Sequence, residues 1–286
     1  MSIIGHHGVM LAGAGGPSAW TPADLGATLA FWANDTSALT QSGGTASQWD
    51  DVRGNGRYFS QATTPADRPT VNASGLNGMR TLEFQSSDYM DADAGLLAAF
   101  NAVGFIAAFI VYKNRSSSSA ARYALSVANN SISGVRFSLQ TSRSGATDKT
   151  CLGVRRQDGD SFATLNATTG VGTSWCIGGV RMHYTNGDGF VDVNGVLGDG
   201  TDLALTTSGP TSATNAARVR LGAHPNNPAN GFADMDVAEV LILAGASMPT
   251  DSGFDKINGY LAHRRALAGL LDAGHPYKAA PPMVPA

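Results

Sequence analysis

Residues 232–267 read FADMDVAEVLILAGASMPTDSGFDKINGYLAHRRAL, and two apolar periods in this stretch decide the fold. Alternation from residue 235 places Met235, Val237, Leu241 and Leu243 on one face and Ala238, Val240 and Ile242 on the other. Both faces are apolar, which predicts an interior strand covered on two sides. Glu239 falls between Val237 and Leu241, where an unpaired carboxylate is costly, so the strand demands a partner for it. Pro249 ends the strand, and Ser252 with Asp255 has the spacing of a capping box. Phe254, Ile257 and Leu261 then recur at helical spacing, while Arg264 and Arg265 sit where cations suit the helix dipole. The spacing predicts one helix over residues 251–267, lying across the edge or back of a sheet.

Composition agrees with a β protein. The 286 residues include 35 glycines, and charged residues make up 14%, against roughly 25% in ordinary globular chains. The length suits one large all-β unit or two small domains. A formal charge of -3 and the lack of a Lys/Arg cluster beside the aromatics argue against nucleic acid as a partner. Cys151 and Cys176 have neither metal-ligand spacing nor the number for a disulfide framework, and read as buried thiols. No Lys or Arg precedes the glycine-broken apolar run at residues 9–12, so no secretory signal is expected, and no stretch approaches a membrane span.

The stretch GFADMDVAEVLILAGASMPTDSGFDKINGYLAHRRAL, followed by HPYKAAPP, resembles the end of laminin G-like, concanavalin A-like jelly-roll domains. Earlier segments extend the resemblance. Trp32 and Asp35 match an opening L-x-x-W-x-D strand, and Trp49, Asp50, Gly54, Asn55, Gly56 and Gln61 correspond to a family turn, with Asp51 in its carboxylate position. Val52-Arg53 replaces the small polar pair usual there. Asn194-Gly195 after Val191 and Val193 matches the family's Y-V-N-G hairpin, and Val219 with Leu221 leads into Leu-Gly where the family has Ile-Gly. The resemblance implies an all-β, two-sheet antiparallel jelly-roll sandwich with one C-terminal helix. Residues 1–21 then form an N-terminal anchoring peptide, 22–271 the domain, and 272–286 an extended proline-rich tail that does not pack by itself. The leader is either a frayed terminus or a peptide that orders only against a partner, with Ile3, Ile4, Val9, Met10 and Leu11 as its anchoring side chains.

Asp234, Asp236 and Glu239 resemble the E-x-D-x-x-E strand of laminarinase-type glycoside hydrolases, whose retaining chemistry needs two closely set carboxyl groups. Asp234 stands where that family has its nucleophilic glutamate, one methylene shorter, and cleft aromatics are missing nearby. The competing reading ties Asp236 and Glu239 to backbone or an arginine within the fold, and it is preferred, so no enzyme is expected. Asp158 and Asp160 belong to an Asp-Gly turn and lack the further ligands of a calcium loop. No metal site and no cofactor are expected. Trp32 and Trp49 either stack on sugars or anchor a turn in the core.

Three function classes follow: a glycan-binding module, a hydrolase, or a structural decoration of a large particle. Sandwiches with an H-P-Y-K-x-x-P-P tail resemble those of bacteriophage tail, fibre or spike proteins. That resemblance implies a virion-surface adhesin for host polysaccharide, assembled in the host cytoplasm, held to other virion proteins by its N-terminal peptide and forming trimers or higher homo-oligomers. The candidate sugar contacts are Arg122, Tyr123, Asn130, Arg136, Arg155 and His224, polar or stacking groups in or beside loops.

Overall fold

The computed structural model describes residues 18–85, 87–129, 134–205, 208–225 and 231–284. The anchoring positions Ile3, Ile4, Val9, Met10 and Leu11, and the candidate contact Asn130, lie outside the described residues.

The fold is predominantly β, and its strands pair antiparallel in two runs. In the first, Met235–Gly245 lies between Phe105–Asn114 and Met79–Phe84, and Leu29–Ala33 pairs with it further along. Thr70–Leu76 flanks Met79–Phe84, while Cys176–His183, Asp188–Val193 and Thr201–Asp202 continue beyond Phe105–Asn114. The second run passes from Leu39–Ser42 through Thr45–Asp50, Tyr58–Ser60, Met90–Ala92, Val219–Leu221, Arg122–Ala128, Val135–Ser142 and Cys151–Val154 to Ala163–Asn166. Among the described strands a single pairing, Thr45 with Thr70, joins them.

Alternation along Phe105–Asn114 explains how one strand serves two cores. Ile106, Ala108, Ile110 and Tyr112 join a cluster shared with Leu125, Val127, Phe137 and Leu139 of the second run. Phe105, Ala107, Phe109 and Val111 face the other way, against Phe254, Ile257 and Leu261 of the helix Asp251–Arg264. Phe109 and Phe254 stack with centroids 5.8 Å apart. Each fully buried side chain of this size contributes about 1.5–3 kcal/mol, so the helix is held by its apolar face rather than by propensity.

Two expectations are corrected. The faces of Met235–Gly245 are not those of uninterrupted alternation, because its register with Phe105–Asn114 shifts between Val237 and Glu239. One inserted residue moves every later side chain to the opposite face. Met235, Val237, Val240 and Ile242 therefore share the inner cluster, and Ala238, Leu241 and Leu243 the helix-side one. The helix is capped by Thr250, two positions before the expected Ser252, with Gly253 and Phe254 N–H donating to the Thr250 carbonyl at 2.8 and 3.2 Å. It ends at Arg264 rather than residue 267.

The C-terminal stretch also packs, contrary to the expected extended tail. His263 Nε2 meets the Tyr277 carbonyl at 2.8 Å, Lys278 Nζ donates to the Gly269 carbonyl at 2.8 Å, and Val284 packs against the helix-side cluster. Trp20 N–H donates to Pro282 O at 3.0 Å and Val284 N–H to Ser18 O at 2.8 Å, so both ends of the described chain meet. Among the described residues no helix is long and apolar enough to cross a membrane.

Candidate functional site

Glu239 has the partner its position demanded. It is fully buried on the helix side, accepts from Trp32 Nε1 at 2.7 Å and Arg265 Nε at 2.9 Å, and Arg264 Nε lies 3.5 Å away. Burial pushes its carboxyl above the usual carboxylate range, against the pull of Arg265 and Trp32. Arg265 also binds Asp35 and the Ala238 carbonyl, tying the segment that follows Leu29–Ala33 to the end of the helix. Trp32 and Trp49 are both buried, Trp49 donating to the Asn34 carbonyl at 3.2 Å, so these rings belong to the core. Asp51 organises the turn beside them, accepting from Trp32 N–H at 3.1 Å and pairing with Arg53 at 2.7 Å.

Past the end of the helix-covered face the same sheet turns polar. Register places Glu83, Asp236 and Lys113 in one row across three strands, with Thr70 beyond Glu83. All three point to the helix side because their neighbours Leu82, Phe84, Met235, Val237 and Tyr112 point inward. Arg115 follows one residue past the strand end and braces the row. Its Nη1 lies 2.8 Å from Glu83 and 3.0 Å from Asp236, and its Nε lies 3.6 Å from Asp234. Lys113 Nζ sits 2.7 Å from Asp236 and 5.4 Å from the centre of the Trp175 ring. Burial works against the Arg115 charge, but the bonds to Asp236 and Glu83 outweigh it and hold its pKa above the ordinary value.

Glu83, Lys113, Arg115, Asp234 and Asp236, with Asn72, Gln85, Asn114 and Thr173, line an open cleft of about 680 Å³. The loop bearing Arg115 is pinned by Asp148, whose carboxylate takes the Ser117 hydroxyl and, at 3.1 Å, the Ser118 N–H. Asp234 accepts from the Ser116 hydroxyl, and the Asp234 carbonyl accepts from Arg115 N–H at 2.9 Å. Donors and acceptors thus alternate along a wall that is fixed before any ligand arrives.

The sequence-derived contacts separate into groups. Arg122 lies at the rim of the cleft, donating to the Ser116 carbonyl at 2.7 Å with Asp234 4.0 Å away. Tyr123 packs edge-to-face on His224, centroids 4.7 Å apart, and its N–H donates to Gly231 O at 3.0 Å, next to the segment that leads to Asp234. Arg136 is corrected outright: it is fully buried, donating to Asn129 Oδ1 at 3.0 Å and the Phe100 carbonyl at 2.7 Å, so it is withdrawn from any surface ligand. Arg155 lies over Phe162 at 5.4 Å, and its N–H donates to the Arg136 carbonyl. Asp234 and Asp236 line the cleft, but Glu239 sits beyond the bulge under the helix, so the hydrolase-like triplet is not assembled at one surface. Among the described residues no group of three or more His, Cys, Asp or Glu is placed to hold a metal ion.

Glu83, Gln85, Lys113, Asn114, Arg115, Thr173 and Trp175 were missed by sequence reasoning. Glu83 between two inward apolar residues and Lys113 at the end of an apolar run each mark an outward charge, but only register brings them together.

No family model matches the chain, and no curated protein matches it. Solved structures are similar in fold. A botulinum neurotoxin serotype D ligand-binding domain in complex with N-acetylneuraminic acid is 11% identical, with a TM-score of 0.49 over 79% of this chain and 51% of that one. A Trypanosoma rangeli sialidase in complex with the inhibitor DANA is 10% identical, with a TM-score of 0.48 over 77% and 31%. A Ruminococcus gnavus IT-sialidase CBM40 bound to sialyllactose is 16% identical, with a TM-score of 0.46 over 60% and 93%. The chain spans about half the length of the neurotoxin chains it matches. At these identities and TM-scores the likeness fixes neither a function nor a ligand.

Proposed function

We propose that this protein is a carbohydrate-binding adhesin on a phage or phage-like particle, built on a concanavalin A-like, laminin G-like jelly roll and lacking catalytic activity. The observation that carries the binding reading is the open cleft lined by amide, guanidinium, ammonium and carboxylate groups of Asn72, Gln85, Arg115, Lys113, Glu83 and Asp236, with the Trp175 ring beside the Lys113 ammonium. Sugars are recognised by such fixed arrays of planar polar groups with an aromatic or aliphatic flank. The particle setting rests on the laminin G-like sequence resemblance. In it, the N-terminal peptide joins other virion proteins, the chain assembles as a trimer or higher homo-oligomer, and nucleic acid and membrane are not contacted. Shallow sugar sites are weak individually, and many copies raise avidity by a factor of about 100 to 10,000.

The test is a glycan array probed with multimerised protein, beside attachment to bacterial cells before and after enzymatic removal of their capsule. Binding to a subset of glycans, reduced by Gln85→Ala together with Thr173→Ala in a variant of unchanged melting temperature, is expected. A blank array with equal attachment to stripped cells would leave particle decoration as the function.

A further inference from the structure

Building on the glycan-binding reading, we infer that the cleft takes an uncharged sugar chain, and that it discriminates against sialylated or uronate-bearing glycans. The charges in the cleft are already paired with one another. The lining carries three carboxylates, Glu83, Asp234 and Asp236, and two cations, Lys113 and Arg115. Lys113 is paired with Asp236 at 2.7 Å, and Arg115 with both Glu83 and Asp236 at 2.8 and 3.0 Å. Arg122 at the rim adds a third cation, but it is turned to Ser116 and Asp234. An incoming carboxylate therefore meets no uncommitted cation in the lining, and it must displace a carboxylate or sit beside one, both unfavourable at these separations.

A hydroxyl group meets the opposite situation. Paired carboxylates retain further acceptor sites and guanidinium retains further donors, so neighbouring sugar hydroxyls, each a donor and an acceptor, extend the network without opening it. Gln85 and Thr173 add an uncharged amide and a hydroxyl to the same wall.

The experiment compares neutral with acidic probes: lactose and the methyl ester of 3′-sialyllactose against 3′-sialyllactose, and fully methyl-esterified polygalacturonate against polygalacturonate, on the full chain displayed as a multimer. Binding of neutral probes by at least about tenfold over their acidic partners, and insensitive to sodium chloride between about 0.05 and 0.5 M, a range that screens exposed charges, is expected. Asp234→Asn removes one committed carboxylate at a part-exposed position and is expected to narrow the preference severalfold while the protein stays folded. Equal or tighter binding of 3′-sialyllactose, weakened by salt, would overturn this inference and leave the glycan-binding function standing. Binding of none of these probes or of any arrayed glycan by the folded protein would overturn both.

Discussion

Replacing Arg265 with Met removes a cation from a network that has no solvent behind it. Arg265 and Glu239 side chains are both 0% exposed, with Nε and Oε2 2.9 Å apart. Arg265 also donates to the Ala238 carbonyl at 2.7 Å and lies 2.9 Å from Asp35. Arg265→Met leaves Glu239 with Trp32 Nε1 and a part-exposed Arg264, which is the situation in which breaking a buried pair costs about 3–5 kcal/mol. For 286 residues the entropy of unfolding near the transition is ~0.6 kcal/mol/K, so the melting temperature should fall by about 5–8 °C. Glu239→Gln should cost less, because the amide oxygen can still accept from Trp32 or Arg265 and Arg265 keeps Asp35. The pH dependence has a definite sign. Burial already raises the Glu239 pKa, and losing Arg265 raises it further. A carboxyl raised on folding binds more protons in the folded chain between its unfolded pKa, about 4.3, and its folded one, so stability rises as pH falls through that window. The deficit of Arg265→Met relative to the parent should therefore shrink on acidification from pH 7 toward about 5. Urea unfolding followed by tryptophan fluorescence reads both effects. A loss below about 1 kcal/mol at pH 7, or a deficit that grows on acidification, would refute this account of the network.

Gly104→Ala should destabilise by about 1–3 kcal/mol, since a Cβ there would stand 2.4 Å from the Ala246 carbonyl oxygen; an unchanged urea midpoint would contradict the packing of this corner. Burial raises the Cys151 and Cys176 thiols to about 12, so neither should react with a thiol reagent at pH 8 until the protein is unfolded, and rapid modification of the native chain would place one of them elsewhere. Arg136→Met should lower the urea midpoint without changing glycan affinity in the fraction that remains folded, because the guanidinium is spent on Asn129 and the Phe100 carbonyl. A selective affinity loss would restore it to the binding surface.

The strand and helix of residues 232–267 were legible because their periods are local properties of the chain. The bulge was not, since it depends on how Val237 and Glu239 meet Tyr112 and Val111 of another strand. Glu239 announced its need for a partner, yet its identity lay 26 residues on at Arg265 and 207 residues back at Trp32. The cleft was hidden for the same reason: Glu83, Lys113 and Asp236 become neighbours only through register. Polar residues near loops were the visible proxy, and Arg136 shows its weakness, because a strand arginine that satisfies carbonyls from other segments reads like a surface one. The tail misled by composition: its prolines and alanines suggested an extended segment, whereas His275 is buried and Lys278 holds the carbonyls of Gly269 and Leu271.

Amide hydrogen exchange of the multimerised protein, with and without the tightest-binding arrayed glycan, tests the central claim most directly. The account predicts added protection at residues 83–85, 113–115, 172–175 and 234–236, the segments that carry the cleft. Protection confined to the strand bearing Arg136 and the loop bearing Arg155, or spread without any change at these four segments, would contradict it.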